Sequence, residues 1–192
     1  MNLSKLFKIQ KQLDERIVKE KGLEGQDLLD KKILALQVEL GELANEWRGF
    51  KYWSHDQEPR TEVPDFETWK KNGHKTYKGK PIMHFKNPLL EEYVDCLHFF
   101  LSIGINSNVR TDIDFDKAGT RDIMTLFAKI NRYTAEMWWE HNGKTGQLLV
   151  KWLFGFQNFL RLGEMLGFTW DEIEKAYLEK NKINHERQES GY

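Results

Sequence analysis

Proline is confined to one stretch of the chain, and this distribution limits the fold more than any other sequence feature. All four prolines lie between residues 59 and 88, so the stretches on either side lack the residue that breaks helices most strongly. In both stretches apolar residues recur at intervals of three and four, the spacing of one helix face. The pattern predicts helices over residues 3–21, 28–50, 88–104, 121–141, 147–166 and 169–187.

The stretch that holds three of the four prolines, residues 54–87, has no apolar period, and Pro88 directly follows it. We expect an irregular insertion there, with short strands near residues 75–85. The chain has 192 residues, the length of one ordinary domain. The sequence therefore predicts a single all-α domain over residues 1–192, a bundle of about five or six helices with the insertion after the second helix.

Charge and cysteine content exclude several classes of protein. The 29 Lys and Arg residues nearly balance the 30 Asp and Glu residues, so without a local basic site we expect no DNA or RNA binding. The single cysteine, Cys96, excludes a disulfide framework and favours a reducing compartment. The sequence has neither an apolar run of the roughly 20 residues that cross a bilayer nor the apolar core of a secretion signal. We therefore expect a soluble, cytoplasmic protein with no membrane partner.

Carboxylates occur on two helix faces that are otherwise apolar. Glu39, Glu42 and Glu46 fall within an arc of about 60° on the leucine-bearing side of the second predicted helix. Glu92 and Asp95 lie on the most apolar helix of the chain, where carboxylates need a cationic partner among them. Two acidic pairs that meet across a bundle form a cage of oxygen ligands, which suits Mg²⁺ or Mn²⁺ better than zinc. The pattern predicts a metal site that binds a phosphate-bearing substrate.

Two other interpretations of these carboxylates stay open. With 30 acidic residues in the chain, chance alone produces several pairs at this spacing, and most such pairs are solvated helix faces. A carboxylate-bridged di-iron bundle would need Glu-x-x-His on two helices, and only Asp95 with His98 approaches that pattern. His98 is more simply interpreted as a core or interface residue.

Polar residues suited to a nucleotide occur near the acidic helix and in the first helix. Gln10 lies in the middle of the apolar stripe of the first helix, where its amide serves either the edge of a base or the core itself. Lys51 and Trp53 follow the acidic helix in an aromatic cluster. An aromatic ring beside a base, with a lysine near phosphates, is chemically sensible there, although such clusters more often close a core.

The last predicted helix carries a second polar set. Lys180, Asn184 and Arg187 share one face of it, and two cations two turns apart suit a polyphosphate, with an amide between them for a base or sugar. The final residue, Tyr192, is placed to fold over a ligand. The alternative is an ordinary solvated C-terminus.

Four segments carry a resemblance to a known family: residues 10–14 (QKQLD), 39–53 (ELGELANEWRGFKYW), 91–105 (EEYVDCLHFFLSIGI) and 177–192 (YLEKNKINHERQESGY). They are similar to the dimeric, all-α dUTP diphosphatases, which are distant relatives of the MazG-type nucleotide pyrophosphohydrolases. The resemblance implies a homodimer that hydrolyses dUTP, and also dUDP, to dUMP, with pyrophosphate released from dUTP. It also implies two or three Mg²⁺ ions that polarise the phosphates and activate water.

The resemblance also implies roles for single residues. Glu39, Glu42, Glu92 and Asp95 would hold the metal ions, and Glu39 or Glu46 would position or deprotonate the attacking water. The nucleotide site would comprise Gln10, Trp53 and Asn184 around the uracil and deoxyribose, and Lys51, Lys180, Arg187 and Tyr192 around the phosphates, some of them from the partner subunit.

The chain departs from the family pattern in its insertion, since 50 residues separate Glu42 from Glu92, more than we expect for the MazG-type core. Base and sugar selectivity therefore stay open. The alternative functions are a related pyrophosphohydrolase for dCTP or for a modified nucleotide, and a non-catalytic, nucleotide-binding helical dimer.

Overall fold

The computed structural model describes residues 3–109, 119 and 122–191. In this part of the chain most residues belong to six long helices, which confirms the predicted all-α bundle. The predicted start of the fourth of these long helices at residue 121 lies outside the described residues. The helices are α1 (Leu3–Glu20), α2 (Leu29–Trp47), the short α3 (Phe66–Lys71), α4 (Pro88–Asn106), α5 (Ile123–Gly143), α6 (Leu148–Met165) and α7 (Trp170–Glu189).

Local sequence signals set where two of these helices begin. At α7 the Thr169 and Glu172 side chains each accept a hydrogen bond from the other residue's backbone N–H, at 3.3 and 2.8 Å. This is the reciprocal capping box that the sequence predicts. At α4 the Asn87 carboxamide accepts from the Leu90 N–H at 3.0 Å, and Pro88 occupies the first turn, where its missing N–H costs nothing.

Helix α4 lies at the centre of the bundle and packs against α1, α2, α6 and α7, while α5 packs against α6 and α2. Aromatic side chains connect α4 to α6. The Tyr93 ring stacks on Phe159 with centroids 4.3 Å apart, and the Trp152 indole N–H donates to the Phe100 carbonyl at 2.8 Å. None of the described helices has the length and apolar character needed to span a bilayer.

The insertion is more regular than its sequence pattern predicts. It contains α3 and four two-residue strands, two of which lie in the predicted range 75–85. Strands this short cannot produce an alternating apolar pattern, so sequence periodicity does not reveal them. The strands are β1 (Val63–Pro64), β2 (Thr76–Tyr77), β3 (Lys80–Pro81) and β4 (Phe85–Lys86), paired antiparallel as β1 with β4 and β2 with β3.

Candidate active site

Three carboxylates from two helices meet between α2 and α4. Glu39 of α2 and the α4 residues Glu92 and Asp95 offer oxygen atoms that all lie within 4.8 Å of one another. The two helices point these side chains at each other because their buried apolar stripes, which face the same core, run beside them. Glu42, one turn further along α2, is exposed and lies outside this three-carboxylate group.

The three carboxylates repel one another in the metal-free protein. Burial, followed by the charges of Asp95 and Glu42, raises the pKa of Glu39 to about 7. The same causes, with Glu39 added, raise the pKa of Glu92 to about 7. Burial also raises the pKa of Asp95, although the ion pair with Lys180 opposes that shift. Lys180 therefore supplies the cation that buried carboxylates require, but it leaves part of their negative charge uncompensated.

A cavity of about 310 Å³ opens beside the carboxylates, between α1, α2, α4 and α7. Glu39 and Asp95 line it, so the acidic cluster and the cavity form one site. Four residues that the sequence assigns to a nucleotide also line it, namely Gln10 from α1 and Lys180, Asn184 and Arg187 from α7. The volume lies at the lower end of the range of small-molecule sites, about 300–1,000 Å³, and most of the lining residues are polar or charged.

Gln10 is both a core amide and a cavity residue, so the two interpretations of its sequence position are not exclusive. Its Oε1 accepts hydrogen bonds from the Tyr177 hydroxyl and from His98 Nδ1, both at 2.7 Å, and its Nε2 donates to Asp14 at 2.7 Å. His98 stacks on Tyr177 with centroids 4.1 Å apart. Burial and the Lys180 charge lower the pKa of His98 to about 3, so its imidazole is neutral, and it lies outside the carboxylate cluster.

Sequence reasoning missed three polar residues at the same cavity. Lys32 pairs with Asp14 at 3.0 Å, and the Ser102 hydroxyl donates to the same carboxylate. Helix phase could have identified two of them, because residues separated by whole turns share a helix face. Lys32 lies two turns before Glu39, and Ser102 lies one turn after His98. Their partner Asp14 is noticeable only as the neighbour of the buried amide.

Several predicted site residues lie away from the cavity. The Glu46 carboxylate is 3.4 Å from the Arg60 guanidinium and has one buried oxygen without a partner among the described residues. Lys51 lies over the Phe50 ring at 5.8 Å, and Trp53 is 64% exposed. None of them lines the described cavity, and Tyr192 lies outside the described residues.

Comparison with protein-family models gives a match that covers almost the whole chain. A protein-family model described as dUTPase matches residues 2–69 and 63–192 of the chain. The two matched ranges together include both acidic helices and the last helix. Comparison with curated proteins returns no match.

Proposed function

The chain belongs to the dUTPase family, and from that premise we propose that it cleaves dUTP to dUMP and pyrophosphate with Mg²⁺ held by carboxylates. Hydrolysis of dUTP is the activity of the family, so the chain is a dUTP diphosphatase. The metal, the further substrate dUDP and the roles of single residues are our proposal. One observation carries it: oxygen atoms of Glu39, Glu92 and Asp95 lie within 4.8 Å of one another, and Glu39 and Asp95 line a cavity.

The donor set fits a hard divalent cation. Carboxylate oxygens are the ligands that Mg²⁺ and Mn²⁺ prefer. Burial and then the neighbouring carboxylates raise the pKa of Glu39 and of Glu92, and a bound cation would compensate that negative charge. We assign Glu39, Glu92 and Asp95 as ligands of two or three Mg²⁺ ions, with Glu42 joining them because its charge already acts on all three. When bound, Mg²⁺ supplies charge neutralisation for the phosphates and a lowered pKa for a coordinated water.

The protein's own side chains would bind and orient the nucleotide. Lys180 and Arg187 hold the phosphates, because both line the cavity and both act electrostatically on Asp95. Gln10 and Asn184 contact the base and deoxyribose, since each offers an amide at the cavity wall. Glu39 is the better placed proton acceptor, because Glu46 faces Arg60 outside the acidic group.

An exposed apolar surface supports the homodimer. Leu34 is 60% exposed on the face of α2 opposite the core, and Trp139 of α5 is 68% exposed. Both border a surface pocket that also includes Trp138. Clustered exposed apolar side chains mark interaction surfaces, and we propose that a second copy of this chain covers them. In such a dimer Lys51, Trp53 and Tyr192 would complete the partner's site.

We also propose a cytoplasmic location, because a chain with a single cysteine suits a reducing compartment.

A substrate panel with a matched pair of variants tests the proposal. We expect purified protein to convert dUTP and dUDP to dUMP in Mg²⁺, to lose this activity in EDTA, and to act weakly on UTP and dTTP. Glu92→Gln should abolish hydrolysis and Mn²⁺ binding by calorimetry, whereas Glu91→Gln, its exposed neighbour on α4, should preserve both. Full activity in Glu92→Gln would refute the metal site. Preferential hydrolysis of dCTP would support the metal site but would refute dUTP as the preferred substrate.

A further inference from the structure

The second half of the insertion, with the first turn of α4, carries a concentration of positive charge, whereas the first half, residues 54–67, holds five carboxylates and one arginine. Between Thr68 and Leu90 the sequence has six lysines and two histidines but no aspartate or glutamate, although 30 of the 192 residues are acidic. Every one of these lysines is exposed. A nearly neutral chain therefore presents a strongly basic module on one segment, and a local field of this kind attracts polyanions.

The nearest carboxylates are already engaged within the insertion. Asp65 accepts hydrogen bonds at the start of α3, including one from the Thr68 N–H at 3.0 Å, and Glu67 pairs with Lys70 at 2.8 Å. Just beyond the segment, Glu91 pairs with Lys86 at 3.8 Å. The hairpin lysines Lys75, Lys78 and Lys80 take part in none of these ion pairs. Their positive charge is available to a ligand from outside the chain.

The β2–β3 hairpin orders part of this charge. Lys78 and Gly79 form its tip with φ of 50° and 75°, the paired left-handed conformation of a tight two-residue hairpin turn. Tyr77 pairs across the ladder with Lys80, and the Ile82 N–H donates to the Lys75 carbonyl at 2.9 Å.

Side chains on a strand alternate between its two faces, so Lys75, Tyr77, Lys80 and Ile82 share one face, which we call the hairpin face.

An aromatic ring lies among the cations of the hairpin face. Tyr77 is 67% exposed, and the Lys78 Nζ is 5.5 Å from its ring centroid. Proteins bind single-stranded nucleic acid by stacking bases on exposed aromatic rings while lysines contact the adjacent phosphates. The hairpin face has both elements within a few residues of one another.

The insertion that carries the hairpin face is hydrogen-bonded to the bundle at its base. The Arg60 N–H donates to the Glu46 carbonyl at 3.0 Å, and the Arg60 carbonyl accepts from the Leu89 N–H at 3.1 Å. These bonds connect the segment that leads into the insertion with the end of α2 and the start of α4. Next to these bonds, the antiparallel pair of β1 and β4 joins the two ends of the segment that contains the hairpin. A ligand on the hairpin would therefore be held to the enzyme itself.

We propose that the hairpin face, with the neighbouring lysines of residues 68–90, binds single-stranded nucleic acid without strong sequence preference. The expectation from net charge that the chain binds no DNA or RNA made an exception for a local basic site, and the proposed site is of that kind. A single strand fits better than a duplex, because stacking on Tyr77 requires an unpaired base. An anionic membrane fits less well, because Tyr77 and Ile82 each have a lysine as cross-strand neighbour and form no continuous apolar patch.

Fluorescence anisotropy with labelled oligothymidylate of about 20 nucleotides, at about 50 mM salt, tests the proposal. We expect the wild-type protein to bind the single strand more tightly than a duplex of equal length. The triple variant Lys75→Gln/Lys78→Gln/Lys80→Gln should bind at least about tenfold more weakly, with a salt dependence reduced by about 0.7 per lost phosphate contact. Tyr77→Ala should weaken binding by about tenfold or more through loss of stacking.

A second triple variant, Lys8→Gln/Lys19→Gln/Lys175→Gln, removes the same charge from exposed positions on α1 and α7 and should bind almost as the wild type. All variants should hydrolyse dUTP at the wild-type rate, so this test is independent of the proposed metal chemistry. Absence of binding by the wild type would overturn the proposal. So would equal losses in both triple variants, or binding to phosphatidylserine vesicles in place of the oligonucleotide.

Discussion

Replacing Glu92 by glutamine should stabilise the metal-free protein at alkaline pH, although the same change should abolish activity. Glu92 lies within 4.8 Å of the carboxylates of Glu39 and Asp95, and its pKa is raised to about 7, first by burial and then by their charges. A neutral amide of almost the same shape removes one charge from this cluster. The free energy of unfolding should rise, because the variant avoids the repulsion and desolvation of the ionised carboxylate in the folded state.

The size of the gain follows from the pKa of Glu92. A rise from 4.5 to about 7 would correspond to about 3 kcal/mol if solvent screened nothing. The side chain is only half-buried, so water screens its neighbours and we expect about 1–2 kcal/mol. For a chain of this length that raises Tm by about 3–6 °C.

The pH dependence has a defined sign. Because the folded-state pKa lies above the ordinary value, protonated Glu92 favours the folded state, and that contribution is complete below about pH 4.5. It is lost as the pH rises through about 7. The difference in Tm between Glu92→Gln and wild type should therefore be small at low pH and should reach its full value above pH 7.

Thermal unfolding followed by circular dichroism, from acid to alkaline pH and in EDTA or Mg²⁺, checks this prediction. Mg²⁺ should raise the Tm of the wild type and of Glu91→Gln, most strongly above pH 7, and should leave Glu92→Gln nearly unchanged. The reasoning would be refuted if Glu92→Gln melted below the wild type in EDTA at alkaline pH. An equal rise in Tm on addition of Mg²⁺ in the wild type and in Glu92→Gln would refute the assignment of Glu92 as a ligand.

Three further substitutions have expected effects on unfolding by urea. Tyr177→Phe removes the hydroxyl that donates to Gln10 at 2.7 Å and should cost about 1 kcal/mol. Gly163→Ala would place a methyl group 2.5 Å from the Tyr93 hydroxyl, in a fully packed region, and should cost about 1–3 kcal/mol. Gly41→Ala meets no atom within 4 Å and should stabilise α2 by about 0.5–1 kcal/mol. The change in urea midpoint measures each effect, and a stabilising Gly163→Ala or a destabilising Gly41→Ala would contradict the packing described here.

Features encoded within one or two helix turns are the ones that the sequence predicts well. The Thr169 and Glu172 capping box depends on residues three positions apart. The placement of Glu39 beside a buried leucine stripe depends only on helix phase. For this reason both acidic helices and the start of the last helix could be predicted without any knowledge of tertiary structure.

Contacts between distant residues could not be predicted in the same way. The hydrogen bond from Tyr177 to Gln10 joins positions 167 residues apart, and the ion pair between Lys180 and Asp95 joins positions 85 residues apart. The sequence indicates that a carboxylate on α4 needs a cation, but the choice of Lys180 depends on how α7 packs against α4. Helix phase alone places Lys32 and Ser102 near the site, but their shared contact with Asp14 of α1 depends on how α1 packs against α2 and α4.

Helix α2 connects the features of this molecule that matter most for function. Its buried leucines fix its rotation against α4, and that rotation turns Glu39 toward Asp95 while Leu34 points to the exposed side. At its end, the Glu46 carbonyl holds the Arg60 N–H at the entrance to the insertion. Each residue added to a helix turns everything beyond it by about 100°. The carboxylate site, the exposed apolar surface and the basic module therefore depend on one helix register, and a chain that keeps this register keeps all three in their relative positions.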